Sequence, residues 1–394
     1  MKQKLTRFLI FKIAFISIIS SMILSSMNCS GIGHVNQPDE NSSQNSKLWL
    51  TAYHSNVRHN ATNNDITPPI TILWRKGYKS LLNDQPLGYG NYIISTLQNG
   101  NLVYLDIEKE KMVGDGRIAP GMSHAPTIEN NILYYSANLG DETLVAFNLI
   151  NRKKIWKAQL PHQYTAPLIW KDRVYSGTKG GQLFCVNKLS GQPIWHFNAK
   201  ASLFGVPAEA GGNLFFCDVK GNMYAVDAVS GYHHWVTQLQ SNVYAGPLVV
   251  EGMIYIGTTS GIFYAVEPDS GKIIWQLQTG GSIYGNAAYK DGILYVGNNS
   301  HKLLAINAVS GEIFWEYMTK GIINTAPLVG EENLYFGSWD RTFYILSRHS
   351  GEEIFKVEFN RPIKSSPLLY KDRIYIHIAN DGFYCLGNPV NKSG

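Results

Sequence analysis

An eleven-residue motif recurs along the chain at a constant interval, and this repeat constrains the fold more than any other feature. It reads A-V-D-A-V-S-G-Y-H-H-W at Ala225–Trp235, A-V-E-P-D-S-G-K-I-I-W at Ala265–Trp275 and A-I-N-A-V-S-G-E-I-F-W at Ala305–Trp315. Each copy begins 40 residues after the one before it. A constant period of this length predicts an array of small supersecondary units, stacked or arranged in a circle.

Proline provides a second count of the units. It recurs at intervals of 40 or 41 residues, and Ala287 fills the one vacant position of the series. The series is Pro86, Pro126, Pro167, Pro207, Pro247, Ala287, Pro327 and Pro367. The chain therefore contains eight units.

Each unit contains four short runs of β-branched and aromatic residues, separated by turn residues. In the unit that starts at Pro247 the runs are Pro247–Val250, Met253–Gly257, Ile262–Val266 and Lys272–Trp275. Such runs predict β-strands, and four-stranded units of about forty residues are typical of propeller blades. The sequence therefore predicts an all-β fold, an eight-bladed β-propeller of four-stranded blades, over residues 49–388.

The tryptophan of the motif counts the blades independently and indicates how the ring closes. The position is held by Trp74, Trp156, Trp195, Trp235, Trp275, Trp315 and Phe355, with Met112-Val113 at the remaining one. Trp74 precedes the first proline unit, whereas the last unit, Pro367–Leu386, ends without a fourth run. We expect Ile70–Lys76 to supply the outer strand of the last blade, because a closed ring leaves no free sheet edge between its ends.

The glycine and the tryptophan of the motif are interpreted as structural. Glycine tolerates the positive φ that the turn requires, and the indole is large enough to cover the turn that precedes it and to fill space between blades. The glycines are Gly191, Gly231, Gly271, Gly311 and Gly351. The glycines and tryptophans therefore predict the fold and do not indicate a catalytic or binding function.

The N-terminal segment is typical of an export signal. Residues 1–28 combine a basic start with an apolar run from Ile13 to Leu24, which is the pattern of a signal peptide. Cys29 then stands where a bacterial lipoprotein signal places its lipidated cysteine. Ordinary cleavage and an uncleaved anchor are the alternatives. The polar stretch at 29–48 predicts a flexible tether, and 389–394 form a short tail.

The charge of the chain argues against nucleic-acid binding. Lys2, Lys4, Arg7 and Lys12 account for all but one unit of the formal charge of +5, and all four precede Cys29. The remainder is nearly neutral and lacks the basic footprint that nucleic acid requires.

The cysteines and histidines form no recognisable metal or redox motif. Cys185 and Cys385 share the small slot that Ala225 occupies, and Cys217 stands at a glycine position of the preceding strand. Packing in a sheet core is the expected role, with catalysis or a disulfide as alternatives. The histidines lack ligand spacing, so we predict no metal site and no cofactor.

One face of the ring carries the candidate partner-binding residues. The position three residues before the proline lies at the channel mouth, where four consecutive units carry an aromatic residue and the last unit carries Lys364. The turn between the second and third strands returns to the same face and adds Trp339, Asp340 and Arg341. The aromatic residues are Tyr164, Phe204, Tyr244 and Tyr284. Aromatic and arginine side chains dominate protein interfaces; alternatively, the four rings plug the channel.

The motif Ala-x-Asp-x-x-Ser/Thr-Gly-x-x-x-Trp resembles the tryptophan-docking repeat of quinoprotein-like propellers, over Trp49–Leu386. With a lipoprotein-like signal and a single eight-bladed domain, the chain is similar to the BamB-like family. The resemblance implies a non-enzymatic scaffold that is lipid-anchored in the bacterial outer membrane, faces the periplasm and binds a barrel-assembly protein.

Two other functions remain open. An envelope propeller that binds a peptide or a glycan is the first alternative. A quinone-dependent dehydrogenase is the second, and the resemblance implies that it would need a calcium site of Glu, Asn and Asp, a catalytic Asp, and adjacent cysteines or a haem domain. The chain has neither adjacent cysteines nor a haem motif.

Overall fold

The computed structural model describes residues 51, 55, 59–78, 80–82 and 85–389. The predicted signal peptide, the lipidation site Cys29, the tether at 29–48 and the last residues of the tail lie outside the described residues. Every regular element in the described part of the chain is a β-strand.

The strands are as follows. The closing strand and blade 1 are β1 (Thr71–Lys76), β2 (Leu87–Tyr89), β3 (Tyr92–Thr96), β4 (Asn101–Asp106) and β5 (Lys111–Arg117). Blade 2 is β6 (Thr127–Glu129), β7 (Ile132–Ser136), β8 (Leu144–Asn148) and β9 (Lys154–Ala158). Blade 3 is β10 (Leu168–Trp170), β11 (Arg173–Gly177), β12 (Gln182–Asn187) and β13 (Pro193–Asn198). Blade 4 is β14 (Ala208–Ala210), β15 (Asn213–Cys217), β16 (Asn222–Asp227) and β17 (His233–Gln238).

The remaining blades follow the same pattern. Blade 5 is β18 (Leu248–Val250), β19 (Met253–Gly257), β20 (Ile262–Val266) and β21 (Ile273–Gln278). Blade 6 is β22 (Ala288–Lys290), β23 (Ile293–Gly297), β24 (Lys302–Asn307) and β25 (Ile313–Met318). Blade 7 is β26 (Leu328–Val329), β27 (Asn333–Gly337), β28 (Thr342–Ser347) and β29 (Glu353–Glu358). Blade 8 contains β30 (Leu368–Tyr370), β31 (Arg373–Ile378) and β32 (Gly382–Gly387).

Eight four-stranded antiparallel sheets form the propeller, and its closure is the predicted one. Seven blades use four consecutive strands, whereas the eighth has the order β1-β32-β31-β30. Trp74 of β1 pairs with Cys385 of β32, and the strands run antiparallel. The N-terminal strand therefore completes the last blade, as the truncated final repeat predicted.

The core lies between neighbouring sheets, on the second and third strands of each blade. Ala225 lies opposite Trp235 in the strand register, and Cys185 lies opposite Trp195. This pairing explains the small residue of the motif, because it faces the bulky indole across the strand pair.

The indole docks on the next blade, which corrects one prediction. A Cβ on Gly311 of blade 6 would lie 2.8 Å from the ring of Trp275 in blade 5, and Trp275 Nε1 donates to the Ala308 carbonyl at 3.1 Å. The expectation that the indole covers the turn preceding it in its own unit was wrong. The indoles of blades 2 to 6 instead fix the blade that follows, because each N–H satisfies a carbonyl of that blade's turn.

The positions without an indole agree with this interpretation. Phe355 of blade 7 faces a blade whose third and fourth strands come from opposite ends of the chain, so no such turn follows it. Blade 1 carries Gly114 there, opposite Tyr104, so the prediction that Met112-Val113 takes the indole position was wrong: Met112 pairs with Leu105 beyond the bulge. The turn of blade 2 has Arg152 at φ 57° where later blades have glycine. From blade 2 to blade 7, tryptophan and glycine therefore form a pair shared between consecutive blades.

A lead-in segment before β1 crosses the inner strands of blades 6 and 7. Ala61 pairs in parallel with Val329 of β26, and the buried Asn60 donates to the Pro327 carbonyl and accepts from Gln85. Further along, the Asp65 carboxylate accepts from the Tyr335 hydroxyl at 3.0 Å. The segment thereby covers the inner strands at the end of the channel where the first and second strands connect.

The propeller has two faces that differ in their loops. The mouth face carries the loops that precede each inner strand and the turns between second and third strands, since antiparallel strands bring these to the same end. Backbone bonds join the two loop types, as from Trp339 N to the Ile322 carbonyl at 2.9 Å. The far face carries the remaining turns. No helix in the described ranges is long and apolar enough to cross a bilayer.

Candidate functional site

The four aromatic residues before the inner strands of blades 3 to 6 form a continuous arc at the mouth. The ring centroids of Tyr164 and Phe204 lie 5.1 Å apart, those of Phe204 and Tyr244 5.6 Å, and those of Tyr244 and Tyr284 5.6 Å. Such spacing is typical of interacting aromatic pairs. The prediction that the repeat brings these four residues together is confirmed, and we call them the aromatic arc.

Glycines beside the arc allow the loops to approach closely. A Cβ on Gly205 would lie 2.3 Å from the Ala245 carbonyl oxygen, and a Cβ on Gly285 would lie 2.6 Å from that of Asn324. No side chain fits at such distances, so only glycine permits this contact. The close approach brings successive rings within contact distance.

The arc lines a cavity of about 170 Å³. Phe204, Tyr244 and Tyr284 form one wall, and Tyr244 and Tyr284 stay 38% and 40% exposed. The rest of the lining is mainly polar and includes His124, Asn286, Asn324, Lys364 and Ser366, which we call the polar wall. Tyr244 and Tyr284 therefore border open space, and both binding at the arc and plugging of the channel stay predictions.

Two side chains of the polar wall were not assigned from the sequence. Asn286 Oδ1 accepts from Gly246 N at 2.9 Å, and Ser366 Oγ accepts from Ala326 N at 3.0 Å. Each directly precedes the proline position of its unit. Comparing the units at that position would have revealed them, because the other units carry Gln, Ala, Val or Gly there.

Trp339 and Lys364 connect blades 7 and 8 at the mouth. Lys364 Nζ lies 4.2 Å from the ring centroid of Trp339, whose side chain is 37% exposed. This geometry is that of a cation–π contact. The predicted surface position of Trp339 is confirmed, and the contact unites two candidate residues that lie on different blades.

Arg341 occupies a strained backbone position in the same turn. Its φ is 74°, and Gly181, Gly221 and Gly261 hold positive φ at the equivalent positions. A left-handed conformation costs a residue with a side chain about 1–2 kcal/mol. The Arg341 side chain is exposed to solvent on the mouth face.

Asp340 is engaged within its own turn. Its carboxylate accepts from the Tyr344 hydroxyl at 2.8 Å, from Lys320 N at 2.9 Å and from Thr342 N at 3.0 Å. These bonds hold the turn that presents Trp339. Partner binding by Asp340 stays a prediction, but the structure gives the carboxylate a positioning role.

The cavity does not fit a calcium–quinone pair. Calcium prefers several oxygen ligands, carboxylates among them, yet the described lining contains no Asp or Glu. Across the described ranges no group of three or more His, Cys, Asp or Glu could hold a metal ion. The dehydrogenase's cofactor site therefore cannot be assembled from the lining that the structure describes.

The three described cysteines are buried and unpaired. Burial raises the pKa of Cys185 to about 11 and that of Cys385 to about 12, and it raises the pKa of Cys217 still further. Each thiol therefore stays protonated near neutral pH and is a poor nucleophile. The packing role expected for them agrees with these positions.

The fold and the repeat define a class, the eight-bladed quinoprotein-like propellers. Within that class, the family model described as outer membrane protein assembly factor BamB matches residues 71–277 and 259–377. The chain belongs to this family. No curated protein matches the sequence.

Solved structures share the fold at low sequence identity. BamB from Moraxella catarrhalis is 16% identical and has a TM-score of 0.63, covering 79% of this chain and 99% of its own. A europium-containing methanol dehydrogenase is 12% identical with a TM-score of 0.75, covering 87% and 91%. Quinohemoprotein alcohol dehydrogenase from Comamonas testosteroni is 10% identical with a TM-score of 0.74, covering 88% and 82%. Since dehydrogenases and BamB share this fold, function must be argued from the site.

Proposed function

We propose that the protein is a non-enzymatic scaffold of the bacterial cell envelope that binds a protein partner on its mouth face. The observation that carries the proposal is the aromatic arc, whose Tyr244 and Tyr284 rings are exposed beside a cavity. Aromatic anchors next to a pocket are typical of interface hot spots.

Membership of the BamB family supports outer-membrane β-barrel assembly as the setting. In this proposal the chain is exported, lipidated at Cys29 and held at the outer membrane on the periplasmic side. The partner is a barrel-assembly protein. The aromatic arc, Trp339, Arg341 and Lys364 form the contact surface.

Binding of a free peptide or a glycan at the same mouth is the second candidate. It is favoured by the cavity, whose lining combines aromatic rings with polar side chains. Pockets that combine apolar surface with a few polar groups commonly bind small ligands. A dehydrogenase role ranks third, because only the shared fold supports it and the described lining offers calcium no carboxylate.

Crosslinking of the full-length protein in membranes distinguishes these functions. Recovery of a large outer-membrane barrel protein with the wild type is the result we expect. The Trp339→Ala, Arg341→Ala double variant should recover less of it. Recovery of no barrel protein under any condition would refute the scaffold role, and dye reduction after addition of quinone and calcium would refute the non-enzymatic assignment.

A further inference from the structure

The mouth face carries a set of exposed cations that lack acidic partners. Seven exposed cations of this face form no ion pair with a residue that the structure describes. They are Lys179, Lys200, Lys220, Lys320, Arg341, Arg361 and Lys364. On the far face, Lys188 pairs with Glu129 at 2.6 Å and Arg348 with Asp291 at 2.7 Å.

The acids of the mouth face are already occupied. Glu142 pairs with lysines of its own blade, Asp218 is buried and hydrogen-bonded to Asn222 and Tyr224, and Asp381 pairs with Arg75. Among the described acids of this face, Asp141 and Glu358 are exposed without such a contact, and Glu358 lies in one pocket with Lys320 and Arg341. The far face instead presents exposed acids, including Glu251, Asp269, Glu312 and Glu352. On the mouth face, exposed cations without an ion pair therefore outnumber such acids, and the accessible charge there is predominantly positive.

Several of the free cations flank the aromatic arc at its two ends, whereas Lys200 and Lys220 belong to loops alongside it. Lys179 Nζ lies 5.8 Å from the ring of Tyr164, which begins the arc. Beyond Tyr284, at the other end, Lys320 and Arg341 come with blade 7, and Lys364 stacks on Trp339. Apolar surface thus lies between two groups of positive charge.

This order of charges points to the chemistry of the partner. We propose that the mouth face docks an acidic segment of a partner protein, in which apolar residues contact the arc and acidic residues on either side meet the cations. The inference rests on the proposed scaffold function and specifies its partner. The ring-to-ring steps of the arc extend for about 16 Å, which corresponds to about five residues of extended chain.

A pair of labelled peptides tests the charge requirement with the purified propeller. The acidic probe has a short apolar centre containing Phe, flanked by Asp and Glu, and the basic probe replaces these acids with Lys and Arg. We expect the acidic probe to bind. Its affinity should fall about tenfold between about 50 mM and about 500 mM NaCl, because salt screens exposed charges. Fluorescence anisotropy measures the affinity.

Two charge-reversal variants locate the binding. Lys179→Glu with Lys364→Glu should lower the affinity for the acidic probe at least about tenfold at low salt. The control is Lys153→Glu with Lys272→Glu, which makes the same change in net charge on exposed lysines of the far face, and it should bind as the wild type does. Equal losses in both variants, or equal binding of both probes, would overturn the proposal.

The test separates this inference from the proposed function. If membranes yield a crosslinked barrel protein but the acidic probe fails to bind, the scaffold function stands and the acidic segment is refuted. Vesicles containing phosphatidylglycerol form a third arm. Recruitment of the protein to these vesicles through Lys179 and Lys364, without competition from the acidic probe, would also overturn the proposal.

Discussion

Lys364 of the loop before blade 8 stacks on Trp339 of blade 7, with Nζ 4.2 Å from the ring centroid. The contact holds an exposed indole in one orientation on the mouth face, while the Asp340 carboxylate fixes the turn beneath it. A rigid aromatic side chain loses little conformational entropy on binding. The pair is therefore the part of the mouth whose removal should affect binding most.

Removing the indole and its neighbouring cation should impair partner capture but not folding. We expect Trp339→Ala with Arg341→Ala to weaken capture about tenfold or more, since central aromatic anchors contribute about 2 kcal/mol or more. Thermal unfolding should be unchanged, because both side chains are exposed. Tyr232→Ala is the matched control, as it removes a 70% exposed aromatic from the far face. Equal capture by both variants would contradict the assignment of the face.

Substitution of two rings of the aromatic arc distinguishes binding of a partner from plugging of the channel. Tyr244→Ala with Tyr284→Ala removes two half-exposed rings, each of which contributes about 0.5–1.5 kcal/mol through ring contacts. If the rings bind a partner, capture is lost while the melting temperature falls only slightly. Large destabilisation with normal capture would mean that the rings plug the channel. Calorimetry and crosslinking on the same preparation provide both readings.

The shared tryptophan–glycine pair predicts different costs for two glycines with similar φ. Gly311 has φ 75° and faces the Trp275 ring, whereas Gly292 has φ 79° with nothing within 4 Å of a Cβ. Gly292→Ala should cost about 1 kcal/mol through the backbone alone. Gly311→Ala should cost about 1–3 kcal/mol more, because the indole has to move. Urea denaturation of the two variants measures the difference, and equal midpoints would contradict the docking role.

Burial of the cysteines predicts their reactivity. Because burial raises the pKa of all three thiols, maleimide at about pH 8 should leave Cys185, Cys217 and Cys385 unlabelled in the folded protein. Denaturant should expose all three to labelling, as detected by mass spectrometry. A Ser190→Cys variant, placed in an exposed turn, should react at once and serves as the control. Rapid labelling of any native cysteine would show that its blade opens.

The buried His377 predicts a loss of stability in acid. Burial lowers its pKa to about 4, while a backbone hydrogen bond with Ser80 and the charge of Asp381 act in the opposite direction. Between the folded-state pKa and the unfolded value near 6.5, only the unfolded chain binds the proton. The free energy of unfolding is therefore highest above about pH 6.5 and decreases as the pH falls towards 4. The loss should be about 2–3 kcal/mol. His377→Gln should flatten this pH dependence, and an unchanged profile would assign it to other groups.

The blades were predictable because they repeat, and the lead-in was not because it has no counterpart. Equal spacing of prolines placed Tyr164 and Tyr284 on one face without any knowledge of contacts. Asn60 and Asp65, in contrast, occupy positions set by distant blades, and no local pattern encodes such pairing. The indole was assigned to the wrong turn for a related reason: sequence adjacency favoured its own unit, whereas Gly311 and Trp275 meet across a blade boundary.

The lead-in determines how the propeller responds to a pull on its N-terminal side. It lies before β1 in the chain and is held by the Ala61–Val329 pairing and by the bonds of Asp65 to blade 7. A force applied upstream therefore loads these contacts before it reaches the pairing of β1 with β32. If a lipid tethers the chain, the contacts of the lead-in with blade 7 bear the tension from the membrane first. The pairing of β1 with β32, which closes the ring, then carries no load until those contacts break.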